Sequence, residues 1–78
     1  MIGVPTINVK ATGVRIRQLL DDADMSVRDL QNVMGFTTPQ AIYKWLHGKC
    51  LPSIDNLVVL SMVLGVSINE IIVVRKSA

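Results

Sequence analysis

The stretch GFTTPQAIYKW, residues 35–45, decides how the rest of the chain is read. A glycine is followed by two threonines and a proline, and then by a segment in which Ile42 and Trp45 are interleaved with Gln40, Tyr43 and Lys44. A core helix has no use for that polar set, and a loop has none for Ile42 and Trp45. Pro39 suits the first turn of a helix, where its missing N–H would lack a partner anyway, and Thr38 in front of it is the expected cap. Ile42, Trp45 and Leu46 then form the inner face. Gln40, Tyr43 and Lys44, at i, i+3 and i+4, share the outer one.

Working outward, Gly35, Gly48 and Gly65 each follow an apolar-periodic run and are the expected left-handed ends of helices. Thr12 is the expected cap of a first helix running to about Ala23, with Ile16, Leu19, Leu20 and Ala23 inward and Arg15, Arg17 and Gln18 outward. The run Ser26-Val27-Arg28-Asp29 reads as a capping box with Asp in place of Glu. It opens a second helix whose buried positions are expected at Leu30, Val33 and Met34. A fourth helix is expected from Ser53 to Leu64 on an inner face of Ile54, Leu57, Leu60 and Leu64. Ser67-Ile68-Asn69-Glu70 is a full capping box opening a fifth. Residues 4–9, VPTINV, are compatible with a short strand or an extended arm, and Pro5 favours the arm. The expected fold class is therefore all-α, a five-helix bundle, divided into an N-terminal arm (1–11), a helical domain (12–74) and a C-terminal tail (75–78).

A turn as short as Gly35-Phe36-Thr37 forces the second and third helices to cross steeply, which pushes the third outward. An exposed helix carrying amide and ammonium donors fits a major groove, where Gln pairs with adenine N6/N7 and Lys with guanine O6/N7. That makes Gln40, Tyr43 and Lys44 candidate base contacts, with Thr37 and Thr38 placed to meet a phosphate at the helix start. Net charge is only +2, but Leu30 to Ile54 holds no acid and carries Lys44, His47 and Lys49, while Asp21, Asp22 and Asp24 cluster elsewhere.

From about Gly13 to Ile72 the sequence resembles the phage-repressor and Cro-type helix-turn-helix family of transcription regulators. The resemblance rests on Ser26, Leu30, Gly35, Ile42, Trp45, Gly48, Lys49, Pro52, Leu57, Leu60, Leu64, Gly65 and Ile71, and most specifically on the spacing from Gly48 to Pro52 and on to Gly65. It implies that the third helix lies in the major groove, that the second crosses the DNA backbone, and that the start of the fourth touches phosphate. Lys49, Ser53 and Asn56 then join Thr37 and Thr38 as backbone contacts. Two departures stand out: the stretch from Gly35 to Ile42 is one residue longer than the family's usual spacing, and Val27 and Gln31 replace the usual Gln and small Ala. Arg28 either takes over a phosphate contact or pairs locally with Asp29 or Asp24.

Bulk properties narrow the rest. At 78 residues the chain is one small domain with a marginal core, yet half its residues are apolar and its mean hydropathy is +0.44. The surplus falls on the fourth helix, where Val58, Val59, Met62 and Val63 lie off the inner face, and on the last, which Ile68, Ile71, Ile72, Val73 and Val74 nearly encircle; Ile68, Ile71, Ile72 and Val74 are the expected interface of a homodimer. Such a dimer would set two recognition helices about 34 Å apart on a pseudopalindromic operator. Cys50 stands alone, so no disulfide forms and a reduced, cytoplasmic setting is expected. His47 and Cys50 are too few ligands for zinc, and no cofactor or small-molecule ligand is evident. There is no nucleophile–base set and no phosphate-cradling glycine loop, which argues against an enzyme. The longest uncharged run, Asn56 to Asn69, is too short to span a bilayer, and the N-terminus lacks a signal-peptide pattern. The function expected is a sequence-specific DNA-binding repressor. The alternative is a protein-interaction module on the same fold, such as an antitoxin or an adaptor.

Overall fold

The computed structural model describes residues 5–76. The first four residues of the expected arm and the last two of the expected tail lie outside them. In chain order the elements are β1 (Pro5–Ile7), α1 (Val9–Asp22), α2 (Val27–Met34), α3 (Gln40–Leu46), α4 (Ile54–Leu64), α5 (Ile68–Ile71) and β2 (Val74–Lys76). The fold is the expected helical bundle of five helices, with one addition. β1 and β2 pair antiparallel, Pro5 opposite Lys76, Thr6 opposite Arg75 and Ile7 opposite Val74.

The capping signals at Ser26, Ser53 and Ser67 hold. Ser26 Oγ accepts from Asp29 N–H at 3.0 Å, and the Asp29 carboxylate accepts from Ser26 N–H at 3.0 Å. Ser53 Oγ accepts from Asn56 N–H at 3.2 Å. Ser67 and Glu70 form the second capping box. The glycines expected to end helices all lie in the left-handed region, with φ of 72° at Gly35, 70° at Gly48 and 68° at Gly65. Asp24 adopts the same conformation at φ 55° after α1, a position its short polar side chain tolerates.

The first helix starts earlier than expected. Asn8, not Thr12, is its cap, with Oδ1 accepting from Ala11 N–H at 3.0 Å. Thr12 sits inside the helix, buried, and its Oγ1 accepts from Val73 N–H at 3.0 Å. Val73 O in turn accepts from Asn8 N–H at 2.8 Å. The peptide of Val73 is thus held on both sides by the first turns of α1. This clamp draws the chain out of α5 at Ile72, which is extended, so Val73 and Val74 do not continue the helix. The expected arm therefore contributes a strand and the start of α1, and the expected tail contributes most of β2.

Eight residues form the core: Ile16, Leu20, Leu30, Ile42, Trp45, Leu57, Leu60 and Ile71. Three positions expected inside face outward. Val33 is 56% and Ile54 78% exposed, and Ala23, the C-cap of α1, is exposed as well. The buried stripe of α2 runs instead through Val27, Leu30 and Met34. Ile54 is the first residue of α4, and a side chain there leans back past the helix end, where nothing covers it.

The helix–helix contact that sets the architecture is α1 on α3. It is made at Gly13: a Cβ placed there would lie 2.3 Å from Trp45 O and 2.9 Å from Leu46 O. A glycine in a helix interior costs about 1 kcal/mol of propensity relative to alanine, so its presence in α1 reflects this close approach. Gly13→Ala should therefore destabilise the protein by about 1–3 kcal/mol, the cost of overpacking a filled contact, in spite of the gain in propensity. The urea-unfolding midpoint measures it, and a midpoint that rose would disprove the contact.

Candidate nucleic-acid interface

α3 has an inside and an outside. Ile42 and Trp45 are buried, and Trp45 meets the Phe36 ring edge-on, centroids 5.9 Å apart at 69°. On the opposite side Gln40, Tyr43 and Lys44 are all exposed, so the structure brings the three candidate base contacts together on one face. The Tyr43 ring lies 5.9 Å from His47 at an interplanar angle of 30°, one turn further along. A face with an amide, a phenol and an ammonium offers both donors and acceptors, which groove recognition of base edges requires.

The entry to α3 differs from expectation. Pro39 occupies the N-cap position and no side chain caps the helix, so Thr38 is not its cap. Thr37 and Thr38 remain exposed on the turn that precedes it. α2 and α3 diverge enough that α3 packs chiefly on α1.

The remaining candidates lie around α3. Lys49 is exposed, and its N–H donates to Lys44 O at 2.8 Å, closing the end of α3 beside Gly48. Ser53 is exposed and Asn56 half-buried at the start of α4. The Ser53 hydroxyl oxygen and the Asn56 N–H already serve each other as a cap, which leaves the Ser53 O–H and the Asn56 amide for any ligand. Arg28 is exposed on the first turn of α2, and its neighbour Asp29 is engaged with Ser26.

One cation was hidden by the expectation of an arm. Lys10 lies in the first turn of α1, and a Cβ on Gly48 would come within 2.8 Å of its Cγ and 2.9 Å of its Cα. Its stem therefore runs against Gly48 in the loop that follows α3, next in sequence to Lys49. The signal available in the sequence was the Asn8 cap, which makes Lys10 helical.

Of the expected dimer contacts, Ile71 is wrong: it is fully buried inside the protomer. Ile68 and Ile72 are half-buried against the same core, and Val74 lies exposed on β2. Helix α5 is too short to present a surface of its own. Exposed apolar side chains also occur singly on other elements, Val14 on α1 and Val33 on α2 among them, but on α4 Ile54 (78%), Val58 (44%) and Met62 (77%) recur every fourth residue and so form one stripe.

Among the described residues no group of three or more His, Cys, Asp or Glu side chains is placed to hold a metal ion, and no helix is long and apolar enough to cross a membrane.

The Asp29 carboxyl is held below the usual carboxylate range by the backbone N–H of Ser26 and then by its hydroxyl. A lowered folded-state value means that the capping box contributes stability above the ordinary aspartate range and loses it as pH falls through the folded value. Asp29→Asn should accordingly flatten the acid limb of the stability–pH curve relative to the parent. Parallel curves for the two proteins below pH 4 would contradict the bond.

A family model described as helix-turn-helix matches residues 16–71. No curated protein matches the sequence. Three solved structures are similar in fold. The restriction-modification controller protein C.AhdI from Aeromonas hydrophila aligns with a TM-score of 0.72 at 21% identity, over 81% of this chain and 94% of that one. The clp gene regulator ClgR from C. glutamicum aligns at 0.71 and 20%, over 85% and 84%. The DNA-binding domain of BldD aligns at 0.71 and 15%, over 85% and 94%.

Proposed function

The chain belongs to the helix-turn-helix family, and from that premise we propose that it is a sequence-specific DNA-binding transcriptional regulator, a cytoplasmic repressor that reads a pseudopalindromic operator as a homodimer. The observation that carries this reading is the outer face of α3, where Gln40, Tyr43 and Lys44 stand together and exposed while Ile42 and Trp45 anchor the helix from behind. Gln40 and Lys44 read adenine and guanine edges, and Tyr43 contacts the adjacent base or sugar. Thr37, Thr38, Arg28, Lys49, Ser53 and Asn56 position the duplex through its phosphates, with Lys10 added beside Lys49. The chain's likeness in fold to a restriction-modification controller, a gene regulator and a DNA-binding domain supports the class of function.

The dimer surface proposed here centres on the α4 stripe of Ile54, Val58 and Met62, with Val74, Ile68 and Ile72 at its margin. A chain of 78 residues has little room for a large core, and an uncovered apolar stripe on a helix whose only charge is Asp55 favours self-association. Light scattering at micromolar concentration should give twice the 8.6 kDa protomer mass, and Met62→Asp should return it to one. A parent protein that stays at the protomer mass would favour the alternative, an antitoxin or adaptor whose apolar face meets another protein.

Selection of bound duplexes from a random pool at two salt concentrations tests the main reading. A palindromic consensus is expected, and recovery of unenriched sequence would refute it. On the recovered site, Lys44→Ala should cost about 1–3 kcal/mol and relax base preference, whereas Lys49→Ala and Lys10→Ala should weaken all sequences alike and each lower the salt slope by about 1. An unchanged slope for Lys10→Ala would remove it from the interface.

A further inference from the structure

A helix that reads base edges must be held at one angle, yet α3 enters from the turn at residues 35–39 without any side-chain cap. What fixes that turn comes from α2. Phe36 N–H donates to Gln31 O at 3.1 Å, the usual closure of a helix that ends on a left-handed glycine. In addition, the Gln31 side chain reaches forward, and its Nε2 donates to Phe36 O at 3.3 Å. Phe36 is thus gripped through both its N–H and its C=O by the same residue, while its ring rests edge-on against Trp45 of α3. Trp45 is nearly buried and adjoins Lys44, so the chain of contacts runs from Gln31 through Phe36 to the back of the reading helix.

We propose that Gln31 is a positioning residue for base recognition: its side-chain amide locks the lengthened turn so that α3 presents Gln40 and Lys44 in a single pose. The inference rests on the DNA-reading role of α3. Phosphate contacts tolerate small changes of helix angle because a cation near a phosphate ridge acts at long range, whereas a bidentate amide or ammonium contact with a base edge does not. Loss of the clamp should therefore show in discrimination and not in general affinity.

The test compares the parent with Gln31→Met, which keeps side-chain length but has no donor, and with Gln31→Ala. Dissociation constants are measured for the selected duplex and for a scrambled duplex of equal length at one salt concentration, together with the salt slope on each. The ratio of the two constants is the decisive quantity, because a variant that is partly unfolded loses the same factor on both duplexes and leaves the ratio untouched. For both variants the ratio should fall roughly 5- to 30-fold, the equivalent of one weakened base contact, with the scrambled-duplex affinity and salt slope unchanged. A ratio equal to that of the parent, or equal losses on both duplexes, overturns the role of Gln31 while leaving DNA recognition standing. A parent chain that does not distinguish the two duplexes overturns DNA recognition and the role of Gln31 together.

Discussion

The contact between α1 and α3 at Gly13 is the constraint on which the remaining structure depends. Two main-chain carbonyls of α3, those of Trp45 and Leu46, occupy the space in which any other residue would carry a Cβ. Because α3 sits this close, Ile42 and Trp45 reach the same core as Ile16 and Leu20, and a helix of only seven residues becomes rigid. A helix that short has little stability of its own in water, so its order is borrowed from packing. Gly48 continues the same seam by admitting the backbone of Lys10 against the loop after α3. The outward presentation of Gln40, Tyr43 and Lys44 is thus a consequence of what two glycines allow behind them.

How much of this was legible in the sequence depended on whether the decisive partner was near or far along the chain. The boxes at Ser26 and Ser67 and the cap at Ser53 join residues three apart, and all three were readable. Thr12 was misread as a cap because its partner, the N–H of Val73, lies 61 residues away. Without that bond in view, a threonine before a glycine looks like a helix start, and the true cap at Asn8 falls into an apparent arm. For residues 4–9 a strand was one of two readings and the arm was preferred, while β2 had no signal of its own. Each strand has three residues, too few to show an alternating pattern, and the pairing of β1 with β2 and the clamp on Val73 both join opposite ends of the chain. Gly13 gave no warning either, since a helical glycine reads as a local defect until its neighbour is seen.

The outer face of α3 was legible, because helical spacing from Pro39 is enough to separate Ile42 and Trp45 from Gln40, Tyr43 and Lys44. The surplus of apolar residues on α4 and α5 was also legible, but the dimer surface was expected on α5 alone. Periodicity on α5 predicted an encircled helix, whereas the helix stops at Ile71 and that residue fills the core. The exposed excess lies on α4, where the run of apolar residues is long enough that the exposed stripe can be located only once the buried one, through Leu57 and Leu60, is known. The cations around α3 follow a similar logic: Lys44 and Lys49 lie in the acid-free middle of the chain, and Lys10 comes to that loop only through the fold.

The pairing of β1 with β2 has a further topological consequence. Pro5 stands opposite Lys76, so the first and last described residues lie side by side at one end of the ribbon. Joined through residues 5 and 76, the described part would form a closed loop, and the turn between α4 and α5 could then be opened without touching the outer face of α3. The order in which these helices are strung together is therefore separable from the shape they make, and a circularly permuted chain should assemble the same surface.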